Sequence, residues 1–139
     1  MADIRAFISY STRDRESAAE VKRALEEFGA IVFVAHDDLR VSEEWRERIV
    51  AELEEAQVFV PLLSEHFKRS DWAPQELGYA VAKKHLIIPL QLDGTVPFGF
   101  ASNLQGKRFV ADSLSELFVD PLVTRFPRPV LGHLIRKLA

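Results

Sequence analysis

Three apolar runs, each followed by a segment with helical periodicity, constrain the fold of this chain more than any other feature. The runs are AFIS (6–9), AIVFVA (30–35) and QVFVPLL (57–63), and polar residues do not alternate within them. Strands that are apolar on both faces are typical of parallel sheets covered by helices on both sides. A fourth run, LIIPLQL (86–92), continues the pattern, so the sequence predicts an α/β fold.

The segments between these runs place apolar residues at helical spacing. The helix from Asp14 to Phe28 ends at Gly29, which suits a C-terminal cap, and further helices are expected over 42–56 and 75–84. The apolar stripes of the first two helices are Ala18, Val21, Leu25 and Phe28, followed by Trp45, Ile49, Leu53 and Ala56.

The regular pattern weakens after Asp93. KRFV (107–110) is the expected fifth strand, FGFASNL (98–104) a short helix and RPVLGHLIRKLA (128–139) a closing helix. Because no repeat or linker interrupts the chain, residues 1–139 are expected to form a single domain. Five strands with right-handed crossovers predict a flavodoxin-like three-layer fold, with a five-stranded parallel sheet of order 2-1-3-4-5 and helices on both faces.

Composition excludes several classes of protein. Apolar residues make up 47% of the chain and charged residues 28%, a balance typical of a globular domain. The 18 basic and 21 acidic residues are interleaved, so no face for nucleic acid is expected. The absence of cysteine removes thiolate chemistry. Without a signal core or a membrane span, the expected location is cytoplasmic, with no membrane partner.

The fold predicts where a ligand would bind. In such a sheet, ligands lie beyond the carboxyl ends of the strands, where the strand order reverses. The loops there are SYSTRD (9–14), AHDDLRVS (35–42) and SEHFKRSDWAPQE (64–76), which hold aromatic, basic and acidic residues. Polar loops are also what solvent-exposed connections look like, so the convergence of three of them favours a site.

The stretch DWAPQEL (71–77) is the most specific local feature. Pro74 is best placed in the first helical turn, which puts Glu76 near the helix N-terminus, where the helix dipole favours an ionised carboxylate. Trp72 lies four residues earlier, on roughly the same side. Glu76 is expected at the edge of the buried face, looking into a cleft. The alternative is that Glu76 only stabilises the helix terminus while Trp72 covers the core.

The sequence gives less support to other kinds of functional site. The glycines form no phosphate-binding loop. His36, Asp37 and Asp38 could hold a metal, but solvated turn residues explain them as well, so no metal is expected. Ser9 and Ser11 lack the glycine-flanked elbow of a serine nucleophile. A phosphoaccepting receiver domain would need an aspartate at the end of the third strand, where LLS occurs.

Three segments resemble one family. FISYSTRD (7–14) is similar to the first sequence box of the TIR (Toll/interleukin-1 receptor) domain, and residues 37–67 match its second loop, helix and third strand. SDWAPQEL (70–77) is like the family's Trp-x-x-x-Glu motif. The resemblance covers nearly the whole chain, in the right order. Near the last helix, RFPRP (125–129) stands where the family often has a Phe-Trp pair.

The resemblance implies one of two functions. Bacterial-type members cleave NAD+ at the nicotinamide–ribose bond in defence or virulence signalling, and NAD+ is then a substrate, with no cofactor. Other members are non-enzymatic scaffolds or adaptors. Either group implies self-association through TIR–TIR contacts, and other TIR-containing proteins as partners. A nucleoside deoxyribosyltransferase-like enzyme is a more distant alternative.

Glu76 occupies the position of the catalytic glutamate of the enzymes that this chain resembles. One carboxylate can suffice, because nicotinamide leaves from a cationic ring and needs no general acid, unlike the leaving group of an ordinary glycoside. Ionised Glu76 would stabilise the oxocarbenium charge and hold the ribose hydroxyls. Ser9 and Tyr10 are expected to bond to the ribose or the phosphates.

The resemblance also implies roles for four other residues. Trp72 and Phe33 would offer flat surfaces to the nucleobase or the nicotinamide ring. Arg13 and Arg40 would neutralise the pyrophosphate. The structural alternatives are that Phe33 belongs to the core and that Arg40 is a solvated loop residue.

Overall fold

A computed structural model of the chain describes residues 3–34 and 43–138. Its strands are β1 (Arg5–Ser9), β2 (Ile31–Val34), β3 (Val58–Leu63), β4 (Leu86–Ile87), β5 (Leu90–Gln91) and β6 (Lys107–Arg108). Its helices are α1 (Arg15–Glu26), α2 (Glu43–Glu55), α3 (Glu65–Arg69), α4 (Ala73–Ala82), α5 (Leu114–Arg125) and α6 (Pro127–Leu138).

The sheet is parallel and runs in the order β2-β1-β3-β5-β6, which confirms the predicted α/β, flavodoxin-type fold. The predicted fourth strand is present as two pieces, β4 and β5, which both pair with β3. Pro89 separates them, because proline has no N–H to contribute to the hydrogen-bond ladder. The predicted fifth strand is confirmed as the short β6.

Alternate residues of the strands face opposite layers of the molecule. Ala6 and Ile8 of β1 belong to the apolar cluster under α1, α5 and α6, whereas Phe7 belongs to the cluster under α2 and α4. β3 divides in the same way, with Val60 on the first side and Phe59 on the second. This period of two, combined with apolar residues at positions 6–8 of β1 and throughout β3, buries the central strands on both faces.

The predicted helical stripes are confirmed, since all four apolar residues of the first stripe are buried, as are Ile49 and Leu53 on α2 and Ala56 directly after it. Gly29 has a φ of +83°, as a helix-ending glycine requires.

Two helices were not predicted, and one predicted helix is smaller than expected. The short α3 follows β3, and α5 covers the sheet with Leu114, Phe118 and Leu122, which are all buried. The four-residue spacing of these three side chains is a helical signal, but Pro121 lies inside α5, where proline is unfavourable. The helix expected over 98–104 is only a 3-10 turn at Gly99–Ala101.

The order of the strands positions the candidate site. β1 and β3 are neighbours at the centre of the sheet, and the chain leaves them toward opposite faces, to α1 and to α4. The point where the strand order reverses, at which α/β folds bind ligands, therefore lies beyond the carboxyl ends of β1 and β3.

Candidate functional site at the carboxyl end of the sheet

Glu76 lies in the first turn of α4. The hydroxyl of Ser70 accepts the backbone N–H groups of Trp72 and Ala73, each at 3.3 Å, and so satisfies donors at the start of the helix. Pro74 occupies the first turn, where its missing N–H has no cost. The remaining first-turn N–H groups carry partial positive charge, which favours a carboxylate at this position.

The closest contact at the site joins Glu76 to the end of β1. The Ser9 hydroxyl donates a hydrogen bond of 2.7 Å to Oε1 of Glu76, across 67 residues of sequence. Ser9 has no exposed surface, and Glu76 is only 3% exposed. Because a buried carboxylate needs hydrogen-bond donors, Ser9 both stabilises Glu76 and orients it.

The alternation of β1 explains why Ser9 makes this contact and Tyr10 does not. Ser9 is two residues after Phe7 and therefore lies on the same side of the sheet as α4. Tyr10 is two residues after Ile8, has no exposed surface and packs in the cluster under α1. Tyr10 is thus part of the core and contributes nothing to the crevice surface in this conformation.

The two aromatic residues expected to stack on the substrate lie on the α2 side of the site. The ring centroid of Phe33 is 5.3 Å from that of Phe7, and the Arg48 guanidinium lies 5.4 Å from the Phe33 ring. Trp72 is half-buried, with the Arg46 guanidinium 5.4 Å from its ring. Phe33 therefore extends the aromatic core, while each ring has a cation from α2 against it.

The structure describes only one of the two arginines that were expected to contact phosphate. Arg13 is exposed in the loop after β1, where its backbone N–H donates to the Ser11 hydroxyl at 3.3 Å. Arg40 lies outside the described residues, as do the possible metal ligands at 36–38. Over 3–34 and 43–138, no group of three or more His, Asp or Glu side chains could hold a metal ion.

A family model described as "TIR domain" matches residues 6–118, a span that includes α2, α4, all of β1 but its first residue, and the Ser9–Glu76 contact. This chain belongs to the TIR domain family. The match ends before α6, the region where RFPRP departs from the family pattern.

The TIR fold is also found in a solved structure. The TIR domain of the Toll-related receptor TRR-2 from Hydra magnipapillata superposes with a TM-score of 0.64, at 19% identity, over 86% of this chain and 95% of that chain. At this identity the likeness supports the fold alone. No curated protein sequence matches this chain.

The edge of this TIR domain holds a second serine–carboxylate contact, which the sequence did not predict. The Ser64 hydroxyl donates a 2.6 Å hydrogen bond to Oδ2 of Asp14, and it accepts the backbone N–H of Phe67 at 3.0 Å as the N-cap of α3. Asp14 occupies the N-cap position of α1 without making a side-chain capping bond there. Each residue carries a capping signal, but no local pattern indicates that the two meet.

Asp93 supports the same α3 terminus from the loop after β5. Its carboxylate accepts the backbone N–H groups of Glu65 at 3.0 Å and Thr95 at 2.8 Å. Hydrogen bonding from Thr95, assisted by the Glu65 N–H and the charge of His66, holds the pKa of Asp93 below its ordinary value.

Among the helices of the described residues, none combines the length and the apolar character that crossing a bilayer requires.

Proposed function

We propose that this TIR domain cleaves NAD+ at the nicotinamide–ribose bond, with Glu76 as the catalytic carboxylate. The buried hydrogen bond from Ser9 to Glu76 carries the proposal. This bond holds one oriented carboxylate at the carboxyl ends of the central strands, where α/β folds bind ligands. The TIR family, to which the chain belongs, includes NAD+-cleaving enzymes. The product or the loss of NAD+ would then act in bacterial defence or virulence signalling.

In the proposed reaction, the bond between the nicotinamide nitrogen and C1′ of the ribose breaks. Nicotinamide leaves as a neutral molecule with the bonding electron pair, so no proton has to be delivered to it. The positive charge then moves to the ribose ring, and the Glu76 carboxylate stabilises it. A water molecule that adds to C1′ and loses a proton completes the formation of ADP-ribose, or a nucleophile of the substrate itself closes a cyclic product.

The burial of Glu76 sets a condition on this reaction. With 3% of its surface exposed, Glu76 meets a ribose only after the crevice opens beside it. We therefore expect activity to depend on a rearrangement, such as one that accompanies self-association. The Arg46 guanidinium of α2 lies against Trp72 at the start of α4, so an opening between α2 and α4 is expected to separate this cation–ring pair.

Chromatography of NAD+ after incubation with concentrated protein tests the proposal. Wild type should release nicotinamide, whereas Glu76→Gln should lose about 100-fold or more of the rate, because the amide keeps the shape and removes the charge. Glu16→Gln is the matched control, since Glu16 lies in the first turn of α1 and is exposed. Equal release by wild type and Glu76→Gln would contradict the assignment, and turnover of deoxynucleosides instead of NAD+ would favour the deoxyribosyltransferase alternative.

An exposed apolar side chain favours the scaffold function as a second candidate. Phe100 is 83% exposed, and its ring approaches α4 near Gly78, while Val96 in the same connection is 60% exposed. Large apolar groups this exposed are typical of contact surfaces. We propose that a second copy of the chain, or another TIR domain, packs here.

Light scattering over a range of protein concentrations tests this surface. Phe100→Ser should shift the association to concentrations about tenfold higher, since a buried phenyl ring contributes roughly 1.5–3 kcal/mol. Val50→Ser is the control, because Val50 is an exposed apolar residue on α2, away from Phe100. Association without NAD+ cleavage at any concentration would identify a scaffold.

A further inference from the structure

A cavity of about 370 Å³ opens beside the candidate site, between the loop after β1 and the connection from α3 to α4. Its lining residues are Ser11, Arg13, His66, Arg69 and Ser70. The volume lies within the range of small-molecule sites. Three basic side chains around one cavity indicate a negatively charged ligand.

The charges of this cavity are not neutralised by ion pairs. Among the residues that the structure describes, neither Arg13 nor Arg69 makes a salt bridge, and both side chains are exposed. His66 lies close enough to Asp93 to help lower the pKa of that carboxyl. Both guanidiniums therefore remain available to a ligand, and a guanidinium stays charged throughout the physiological pH range.

The two serines add neutral donors to the cavity. The Ser11 hydroxyl accepts the backbone N–H of Arg13, and the Ser70 hydroxyl accepts those of Trp72 and Ala73. A hydroxyl that accepts from the backbone keeps its own proton to donate. Guanidinium, imidazole and hydroxyl donors around one space suit an anion with several oxygen atoms, which is the chemistry of a phosphate group.

The cavity and the Ser9–Glu76 contact are built on the same two segments of the chain. Ser11 follows Ser9 by two residues, and Ser70 caps the helix that carries Glu76. We propose that this cavity binds a phosphate group and that Arg69, together with His66, determines the affinity. The phosphate is that of the NAD+ pyrophosphate if the proposed function holds, and a free phosphate compound would use the same donors.

Calorimetric titration of the full chain with ADP and with inorganic pyrophosphate at low salt tests the proposal. Arg69→Gln should weaken the binding of both about five- to tenfold, because it removes a charged donor. The matched control is Lys68→Gln, which removes the same charge from the neighbouring residue, whose Nζ lies 5.3 Å from the Phe98 ring and not in the cavity. Thermal unfolding of both variants checks that the fold is intact.

Two results would overturn the phosphate site: no binding of ADP or pyrophosphate by wild type, or equal affinities for wild type and Arg69→Gln. If Arg69→Gln also raises KM for NAD+ and leaves kcat unchanged, the phosphate is that of the substrate. If KM is unchanged while pyrophosphate binding falls, the cavity takes a separate phosphate compound. Arg69-dependent ADP binding without NAD+ turnover would reject the proposed function and retain the site.

Discussion

Two serine hydroxyls donate to two carboxylates at the same edge of the sheet, yet their surroundings differ. Ser9 donates to Glu76 at 2.7 Å with both side chains buried, whereas Ser64 donates to Asp14 at 2.6 Å with Asp14 partly exposed. The Ser64 hydroxyl also accepts the N–H of Phe67 and thereby caps α3. Bond length alone therefore does not separate a candidate catalytic contact from a structural one.

The difference lies in what each carboxylate faces. Asp14 connects two loops and shares its charge with solvent, which suits a contact that holds the loops in place. Glu76 is kept from water at the first turn of a helix, where the partial charge of the N–H groups favours a carboxylate and the less polarisable surroundings strengthen electrostatic interactions. Under the proposed function, it is therefore Glu76, and not Asp14, that would act on the cationic ribose.

The largest expected effect is on the rate of catalysis. Matched substitutions at the two carboxylates, Glu76 and Asp14, test it. Glu76→Gln should lower the rate of NAD+ cleavage about 100-fold or more, while Asp14→Asn should keep it within about twofold. Nicotinamide release followed by chromatography measures both. A comparable loss from Asp14→Asn would mean that the two contacts act as one unit.

The next largest effect is on the stability of the fold, where alanine substitutions of Ser9 and Ser64 can be compared. Ser9→Ala should lower the free energy of unfolding by about 2–3 kcal/mol, because it removes a donor from a buried carboxylate. Ser64→Ala should cost about 1–2 kcal/mol, the value of a helix N-cap with a partly exposed partner. Urea denaturation gives both values. An equal or smaller loss for Ser9→Ala would show that burial adds nothing to the first contact.

The smallest effect concerns Asp93, the exposed carboxylate at the α3 terminus. Because its pKa is lower in the folded protein than its ordinary value of 3.8, the ionised form favours folding, and this stabilisation is lost as the pH falls through the folded pKa. Asp93→Asn should therefore be less stable than wild type by under about 1 kcal/mol above pH ~4, with the difference shrinking toward pH ~2. A difference that grows with acidity would contradict the assignment.

The sequence was sufficient for the elements that local signals specify. The apolar runs predicted the parallel sheet, because strands buried on both faces have no polar alternation, and right-handed crossovers between five strands predicted its order. The Pro74 position predicted that Glu76 lies in a first helical turn, which the structure bears out. The break of the fourth strand at Pro89 was not predicted, and Pro61 lies within the continuous strand β3, so a proline alone does not locate such a break.

Other features required knowledge of which segments meet. Tyr10 and Ser9 are neighbours in one polar cluster, and only the sheet, with α1 on one face and α4 on the other, shows that Tyr10 enters the core while Ser9 reaches Glu76. The α5 helix was not predicted because Pro121 lies within it. The four-residue spacing of Leu114, Phe118 and Leu122 is a helical signal, but only the folded structure shows that these side chains pack on the sheet.

Periodicity, turn chemistry and the handedness of the crossovers therefore established the class of fold, the strand order and the helix terminus that holds Glu76. The pairing of Glu76 with Ser9, the pairing of Asp14 with Ser64, and the gathering of Arg13 with Arg69 around one cavity were decided by the tertiary structure. The reason is physical, because hydrogen bonds form only between atoms about 3 Å apart. Residues that lie 50 to 67 positions apart in the sequence reach that distance only through the strand order and the crossovers of the folded chain.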